Sequence, residues 1–264
     1  MKIVLIGGAG FIGHHAALDL CEDHDVTIID SLMVNNLYSS DLTNKRLYKK
    51  FLRQRLDLLR EADIPVRMID ARDYGMLSAV LGAIKPDVIV HLAAVAHIDR
   101  SNKDPYGTFH HNLRSMVNAL DIAHNLGTDH FVFFSSSTVY GTFPSPVLDE
   151  TSICQPFGIY GSLKYAGEHI VRSYGDTYDL GYTIVRPCAA YGPRCVSGRV
   201  GQKFIEAARQ GQDITVFGDG EIYEDFTYVE DIVQGLRLII EQRDKSAGET
   251  FNITAGAARS LNDL

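Results

Sequence analysis

Tyr160 and Lys164 stand four residues apart in Tyr160-Gly161-Ser162-Leu163-Lys164, a spacing that on a helix puts both side chains on one face. A free phenol loses its proton near pH ~10, but a neighbouring ammonium favours the phenolate and brings Tyr160 towards service as a base near neutral pH. Ser136, within Ser135-Ser136-Ser137 at the end of an apolar run, can hydrogen-bond the same substrate hydroxyl. Loss of that proton together with a hydride turns a secondary alcohol into a ketone. Taken alone, the Tyr-x-x-x-Lys spacing also fits an ordinary amphipathic helix, so the presence of a hydride acceptor decides between the two readings.

A site for that acceptor is legible at the start of the chain. The apolar run Ile3-Val4-Leu5-Ile6 leads into Gly7, Gly10 and Gly13, with Phe11 and Ile12 opening the next helix, and Asp30 closes a second apolar run. Strand, tight turn, helix and acidic-ended strand in this order form a dinucleotide site. Glycine lets the backbone turn sharply and approach a pyrophosphate, towards which the N–H groups of the new helix point. Asp30 accepts hydrogen bonds from the adenosine ribose hydroxyls and would repel a 2′-phosphate, so NAD is expected rather than NADP. Lys164 can then hold the nicotinamide ribose, and a cationic nicotinamide adds to the pull on the Tyr160 proton.

The elements that must position these groups alternate regularly. Short apolar strands are expected at 2–6, 26–30, 66–69, 88–92, 131–135 and 182–185, with helices at 12–21, 74–83, 112–126 and 163–174. This is an α/β chain with a Rossmann-type, doubly wound parallel sheet. From Arg194 the pattern becomes mixed, with helices at 202–210 and 231–241 and a short strand at 214–217. We therefore expect residues 1–185 to form mainly the cofactor domain. Residues 186–264 should form mainly a small mixed substrate-binding lobe, with some strands and helices returning to the main domain.

A formal charge of −8 argues against general nucleic-acid binding, and no apolar run approaches a membrane span. Cys21, Cys154, Cys188 and Cys195 lack the spacing of a redox pair or a disulfide framework, and no cleavable signal opens the chain, which points to a reduced, cytoplasmic protein. His91, His97, His110 and His111 lack a converging carboxylate, so no metal is expected. The basic run from Asn44 to Glu61 reads as a surface helix packed through Leu47, Phe51, Leu52, Leu56 and Leu59, with a solvated basic face; a nucleic-acid or membrane contact is the alternative.

In combination these motifs resemble the extended short-chain dehydrogenase/reductases, in the branch of NAD-dependent nucleotide-sugar epimerases and dehydratases. The likeness rests on GGAGFIG at Gly7 to Gly13, Asp30, Asp70, HLAAVAH at His91 to His97, Asn112, SSSTVYG at Ser135 to Gly141 and YGSLK at Tyr160 to Lys164. It extends through RPCAAYGPR at Arg186 to Arg194 and FGDGEIYEDFTYVEDI at Phe217 to Ile232. The resemblance implies that Asp70 and Ala71 border the adenine, that Leu92, Ala93 and Ala94 line the cofactor, and that Asn112 supports its binding region. It also implies a homodimer built on the helices that begin near Asn112 and Tyr160, for which Leu113, Met116, Val117, Leu120 and His124 offer a stripe. Because family members continue past the run FNITAGAARSLNDL, the chain is expected to break off before the end of the substrate lobe.

Dehydratase members carry an Asp-Glu pair directly after the catalytic Ser or Thr, where this chain has Ser137 and Thr138. Dehydration is therefore disfavoured. Epimerisation of a nucleotide sugar, at C4 through a transient keto-sugar and bound NADH, is the leading expectation. NAD-dependent oxidation or reduction of a sugar or other secondary alcohol is the alternative, decarboxylation of a uronic-acid sugar a minor one, and an inactive NAD-binding scaffold the reading from another class. Two departures bear on substrate: Ala189 and Glu224 stand where relatives place asparagine and arginine against the nucleotide's phosphates. Arg194, Arg199, Lys203 and Arg209 are the nearby cations able to replace them, and Ser136, Ser137, Thr138, Ala189 and Glu224 are expected around the sugar.

Overall fold

A computed structural model describes residues 1–39, 46–142, 147–196, 198–216 and 218–264. Seven parallel strands form the main sheet: Lys2–Ile6 (β1), Asp25–Ile29 (β2), Val66–Arg67 (β3), Val88–His91 (β4), His130–Phe134 (β5), Gly181–Pro187 (β6) and Thr250–Ile253 (β8). Their order is β3-β2-β1-β4-β5-β6-β8. The direction of winding reverses between β1 and β4, and the crevice beyond the carboxyl ends of those strands is where ligands bind in such sheets. β4 and β5 are buried at every position, which is why they read as unbroken apolar runs rather than alternating ones.

Helices cover both faces. Phe11–Leu20 (α1) and Val229–Glu241 (α9) press Ala16, Ala17, Leu20, Ile232, Leu236 and Ile240 against one face. Tyr74–Ile84 (α3), Ser115–Leu126 (α6) and Gly158–Tyr178 (α7) supply Leu77, Leu81, Met116, Leu120 and Val171 to the other. Arg46–Glu61 (α2) adds Leu59 to the first layer. The remaining helices are Ile98–Lys103 (α4), Pro105–Phe109 (α5), Val200–Gln210 (α8) and Arg243–Ser246 (α10).

Three local departures from the sequence reading have physical causes. The helix expected from Asn112 opens instead with a π-helical turn at His110–Arg114, which follows α5 and runs into α6. α7 begins at Gly158, ahead of the expected 163, and the φ of +71° at Gly158 is a left-handed value that glycine adopts freely, so Tyr160 lies in the first turn. The strand expected at 214–217 is absent from its described residues, 214–216, where Ile214 and Val216 are exposed and have no sheet to join; Phe217 lies outside the described residues. A small antiparallel pair, Tyr223–Glu224 (β7) with Arg259–Ser260 (β9), forms there instead, while α9 and β8 return to the main layers. The expected dimer stripe is mostly spent inside the chain: Met116 and Leu120 are fully buried in the core, and His124 stacks on Tyr178 at 4.1 Å between ring centroids.

Candidate active site

A cleft of about 680 Å³ runs across the carboxyl ends of the central strands, within the range of small-molecule sites. At its outer end the turn after β1 is held by Gly7 N–H donating to the Ile29 carbonyl at 2.8 Å. Gly7 has φ +82°, and a Cβ there would fall 2.6 Å from the Ala93 nitrogen. A Cβ on Gly13 would fall 2.6 Å from the Gly8 Cα, so α1 can approach the turn only with glycine at that position. Gly10 caps α1 with no side-chain hydrogen bond, leaving the first N–H groups of the helix, from Phe11 onward, for an anion.

Asp30, at the end of β2, accepts from Ala9 N–H at 3.1 Å and Leu32 N–H at 2.7 Å. Burial pushes its carboxyl up to about 6, against the pull of those backbone donors and of Arg55. The sign of the resulting pH effect is fixed: a raised carboxyl gains its proton early, and a protonated Asp30 has lost charge and acceptor capacity for ribose hydroxyls. NAD affinity should therefore weaken as pH falls through about 6. Asp30→Asn should remove that step and narrow the gap between NAD and NADP. Calorimetric titration of both cofactors across the range checks both statements, and equal NAD and NADP affinities in the unmodified protein would contradict the role of Asp30.

Asp70 and Ala71 line the cleft near His111, and the Asp70 carboxylate grips Arg72 in a fork, with Nη2 at 2.6 Å. Leu92, Ala93 and Ala94 form the opposite wall, pinned by Leu92 and Ala93 N–H groups that both donate to the Ile6 carbonyl, at 2.8 and 3.0 Å. Asn112 lies behind them in the π-helical turn. Its Oδ1 accepts from Val95 N–H at 2.7 Å, and its buried Nδ2 has no partner among the described residues. Its role visible here is to hold the wall rather than to line the cleft.

The inner end holds Ser136, Tyr160 and Lys164 together. The Ser136 hydroxyl follows β5, accepts from Thr138 N–H at 3.2 Å and lies beside the Tyr160 phenol. Burial pushes the phenol's pKa up; the Arg199 guanidinium and the Ser136 hydrogen bond pull the other way. Arg199 is thus the cation felt by the phenol in this arrangement. The Lys164 Nζ donates to the Phe134 carbonyl at 2.6 Å and stands 4.9 Å from the Phe133 ring centroid. Burial brings Lys164 down to about 7, partly offset by Glu168 one turn along α7. Glu168 is itself enclosed, accepting from Ser135 Oγ at 2.6 Å and from Arg186 Nη2 at 2.6 Å, and it ties α7 to the ends of β5 and β6.

Ser137, Thr138, Ala189, Arg199 and Glu224 all line the same cleft. Ala189 holds a left-handed φ of +34°, and Glu224 enters from β7, half-buried. Arg194 and Lys203 are placed elsewhere. Arg194 Nε donates to His14 Nε2 at 2.9 Å, with Nη2 3.4 Å from His15 Nε2, and Lys203 is exposed on α8. The sequence reading missed Arg55, Arg72 and His111 as lining residues. Arg55 had a visible signal: with Tyr48, Leu52 and Leu59 it falls in the helical phase that α2 buries.

The sequence profile of the NAD dependent epimerase/dehydratase family matches residues 3–254. YtcB of Bacillus subtilis, named as an uncharacterized UDP-glucose epimerase, is 32% identical over 98% of this chain and 78% of its own length. The dTDP-glucose 4,6-dehydratase of Salmonella typhimurium is 30% identical over 96% of this chain and 72% of its own. The crystal structure of a UDP-glucuronic acid 4-epimerase from Bacillus cereus, in complex with UDP-glucuronic acid and NAD, matches with a TM-score of 0.89 at 27% identity. That match covers 100% of this chain and 80% of the other. With the family profile spanning the glycine turn, the catalytic helix and the strands beyond it, the chain belongs to the NAD dependent epimerase/dehydratase family.

Proposed function

We propose that the protein epimerises a nucleotide sugar at C4, using NAD. The observation that carries this reading is the meeting of Ser136, Tyr160 and Lys164 at the inner end of the dinucleotide cleft, with Ser137 and Thr138 lining the position next to them. Neither of those two hydroxyl side chains can act as the carboxyl acid–base pair that dehydration requires, whereas epimerisation needs only one base, one hydride acceptor and room for the ketone to turn.

The residues fit the cofactor: free N–H groups at the start of α1 for its diphosphate, Asp30 for its adenosine ribose, and Lys164 for its nicotinamide ribose. Bound NAD supplies a site that accepts a hydride and returns it. Tyr160 Oη takes the proton of the sugar hydroxyl and gives it back after the ketone has turned its other face. Ser136 Oγ holds the same sugar oxygen, and burial of both groups keeps water from competing. Arg199 carries the positive charge that favours the phenolate and is the lining cation that can face the sugar nucleotide's phosphates in place of the missing contacts at Ala189 and Glu224.

The test is incubation of purified protein and NAD with UDP- and dTDP-hexoses, separating epimers chromatographically while following NADH absorbance. Interconverted epimers without net NADH support the proposal. Stoichiometric NADH with a keto-sugar and no epimer would replace it with a dehydrogenase. Assembly as a homodimer and a cytoplasmic location belong to the same proposal. No helix among the described residues is long and apolar enough to cross a membrane. A concentration-independent dimer mass by light scattering is expected, and a monomer mass would reject the assembly.

A further inference from the structure

The basic helix α2 carries six Lys and Arg residues between Arg46 and Arg60, and Arg55 differs from its exposed neighbours in being 1% exposed. Its guanidinium lines the cleft beside Phe11, Asp30 and Asn35, with its central carbon 6.0 Å from the Phe11 ring centroid. Nη2 donates to the Arg194 carbonyl at 2.5 Å, and the buried Nε has no hydrogen-bond partner among the described residues. Among the described residues no carboxylate forms an ion pair with it. Asp30 is close enough to be felt, but its oxygens accept the backbone N–H groups of Ala9 and Leu32.

A cation buried with no ion-pair partner is costly even with Cys195 and Asp30 close enough to favour its charge, and a free Nε adds the cost of an unmade hydrogen bond. Burial lowers Arg55 only to about 10, so it stays charged at neutral pH. The same cleft is lined by the uncapped N-terminus of α1, whose first N–H groups are open to an anion. The two features are independent in the chain, one a guanidinium with an unpartnered Nε and the other an open helix end, and they meet at Phe11.

We propose that Arg55 is a diphosphate-binding residue of this cleft, its guanidinium and the N-terminus of α1 together holding the diphosphate of a bound nucleotide. The inference rests on the cleft being the dinucleotide site. Both NAD and a nucleotide sugar carry the required group, and Asp30 and Phe11 beside Arg55 favour the cofactor's. A planar fork with free N–H donors suits paired phosphate oxygens better than an ammonium does.

The experiment is calorimetric binding to the full chain and to Arg55→Met and Arg55→Lys, with NAD, ADP, UDP and adenosine as separate probes at low and high salt. Arg55→Met should weaken NAD and ADP by about 10- to 100-fold, with adenosine unchanged and a shallower salt dependence. Arg55→Lys should keep the fold and part of the charge, giving a loss of roughly a few-fold for ADP and none for adenosine. A loss confined to UDP would keep the diphosphate role and move its source to the sugar nucleotide. Equal losses for adenosine and ADP, or no loss for any diphosphate in either variant, would overturn it and leave Arg55 as a strut for the Arg194 loop. Because adenosine binding reports the cofactor site without the diphosphate, failure of the site reading itself would show separately, as no adenosine or ADP binding to the unmodified protein.

Discussion

Tyr160→Phe should lower turnover by about 100-fold or more while leaving NAD bound with nearly unchanged affinity. The substitution removes one oxygen from a ring that is already enclosed at 7% exposure, so the packing of the first turn of α7 is kept. What disappears is the phenol oxygen placed to take a proton with Ser136 beside it. The electrostatics add a second readout. Burial holds the phenol above its ordinary range, and Arg199 is the cation that opposes this. Arg199→Ala should therefore move the rising limb of the pH–activity profile to higher pH, and activity near neutrality should fall in consequence. Near-normal turnover in Tyr160→Phe, measured with saturating NAD, would remove Tyr160 from the role of base.

Much of this arrangement is legible in the chain because the physics is local. Gly7, Gly10 and Gly13 answer a backbone requirement, and Tyr160 and Lys164 a helical spacing; both survive translation into three dimensions unchanged. The sheet order follows from repeated strand–helix units, each of which must cross over in one hand. The parts that were not legible depend on contacts distant in sequence. Whether Lys164 faces Tyr160 or the Phe134 carbonyl is set by where β5 ends, and no spacing within α7 reports that. Arg194 lies in the motif expected to meet phosphate, yet His14 and His15, some 180 residues earlier, take its guanidinium. Arg55 illustrates the opposite error. Its charge suggested solvent, while its phase with Tyr48, Leu52 and Leu59 already placed it inside.

The segment at 214–217 shows why composition misleads at the edge of a fold. Ile214, Thr215 and Val216 have strand-forming side chains, but a strand needs a partner and these three residues have none among the described residues, while Tyr223–Glu224 and Arg259–Ser260 pair with each other. β-propensity there describes a surface that tertiary structure never supplies.

Glu168 should be the position where substitution costs the fold most. It is fully buried on α7 and accepts from Ser135 Oγ, from Arg186 Nε and Nη2, and from Arg172 Nη2 at 3.1 Å. Burial alone would raise its pKa; the bonds from Arg186 and Ser135 outweigh that and hold it below the usual carboxylate range. Glu168→Leu leaves Arg186, 2% exposed, as a buried cation with Tyr140, the Glu150 carbonyl and the Cys154 thiol but no carboxylate as its remaining partners among the described residues, and a loss of about 3–5 kcal/mol is expected. Glu168→Gln keeps volume and some hydrogen bonding, so its smaller loss isolates the charge. The pH sign follows from the lowered pKa: the carboxylate's contribution is complete above its ordinary value of 4.5 and is lost as pH falls below it, so wild type and Glu168→Gln should converge in acid. Denaturant melts of both variants near neutrality and in acid measure this. A Glu168→Leu protein as stable as wild type would show that Arg186 finds water or another partner, and that the network behind Ser136 and Lys164 does not depend on this carboxylate.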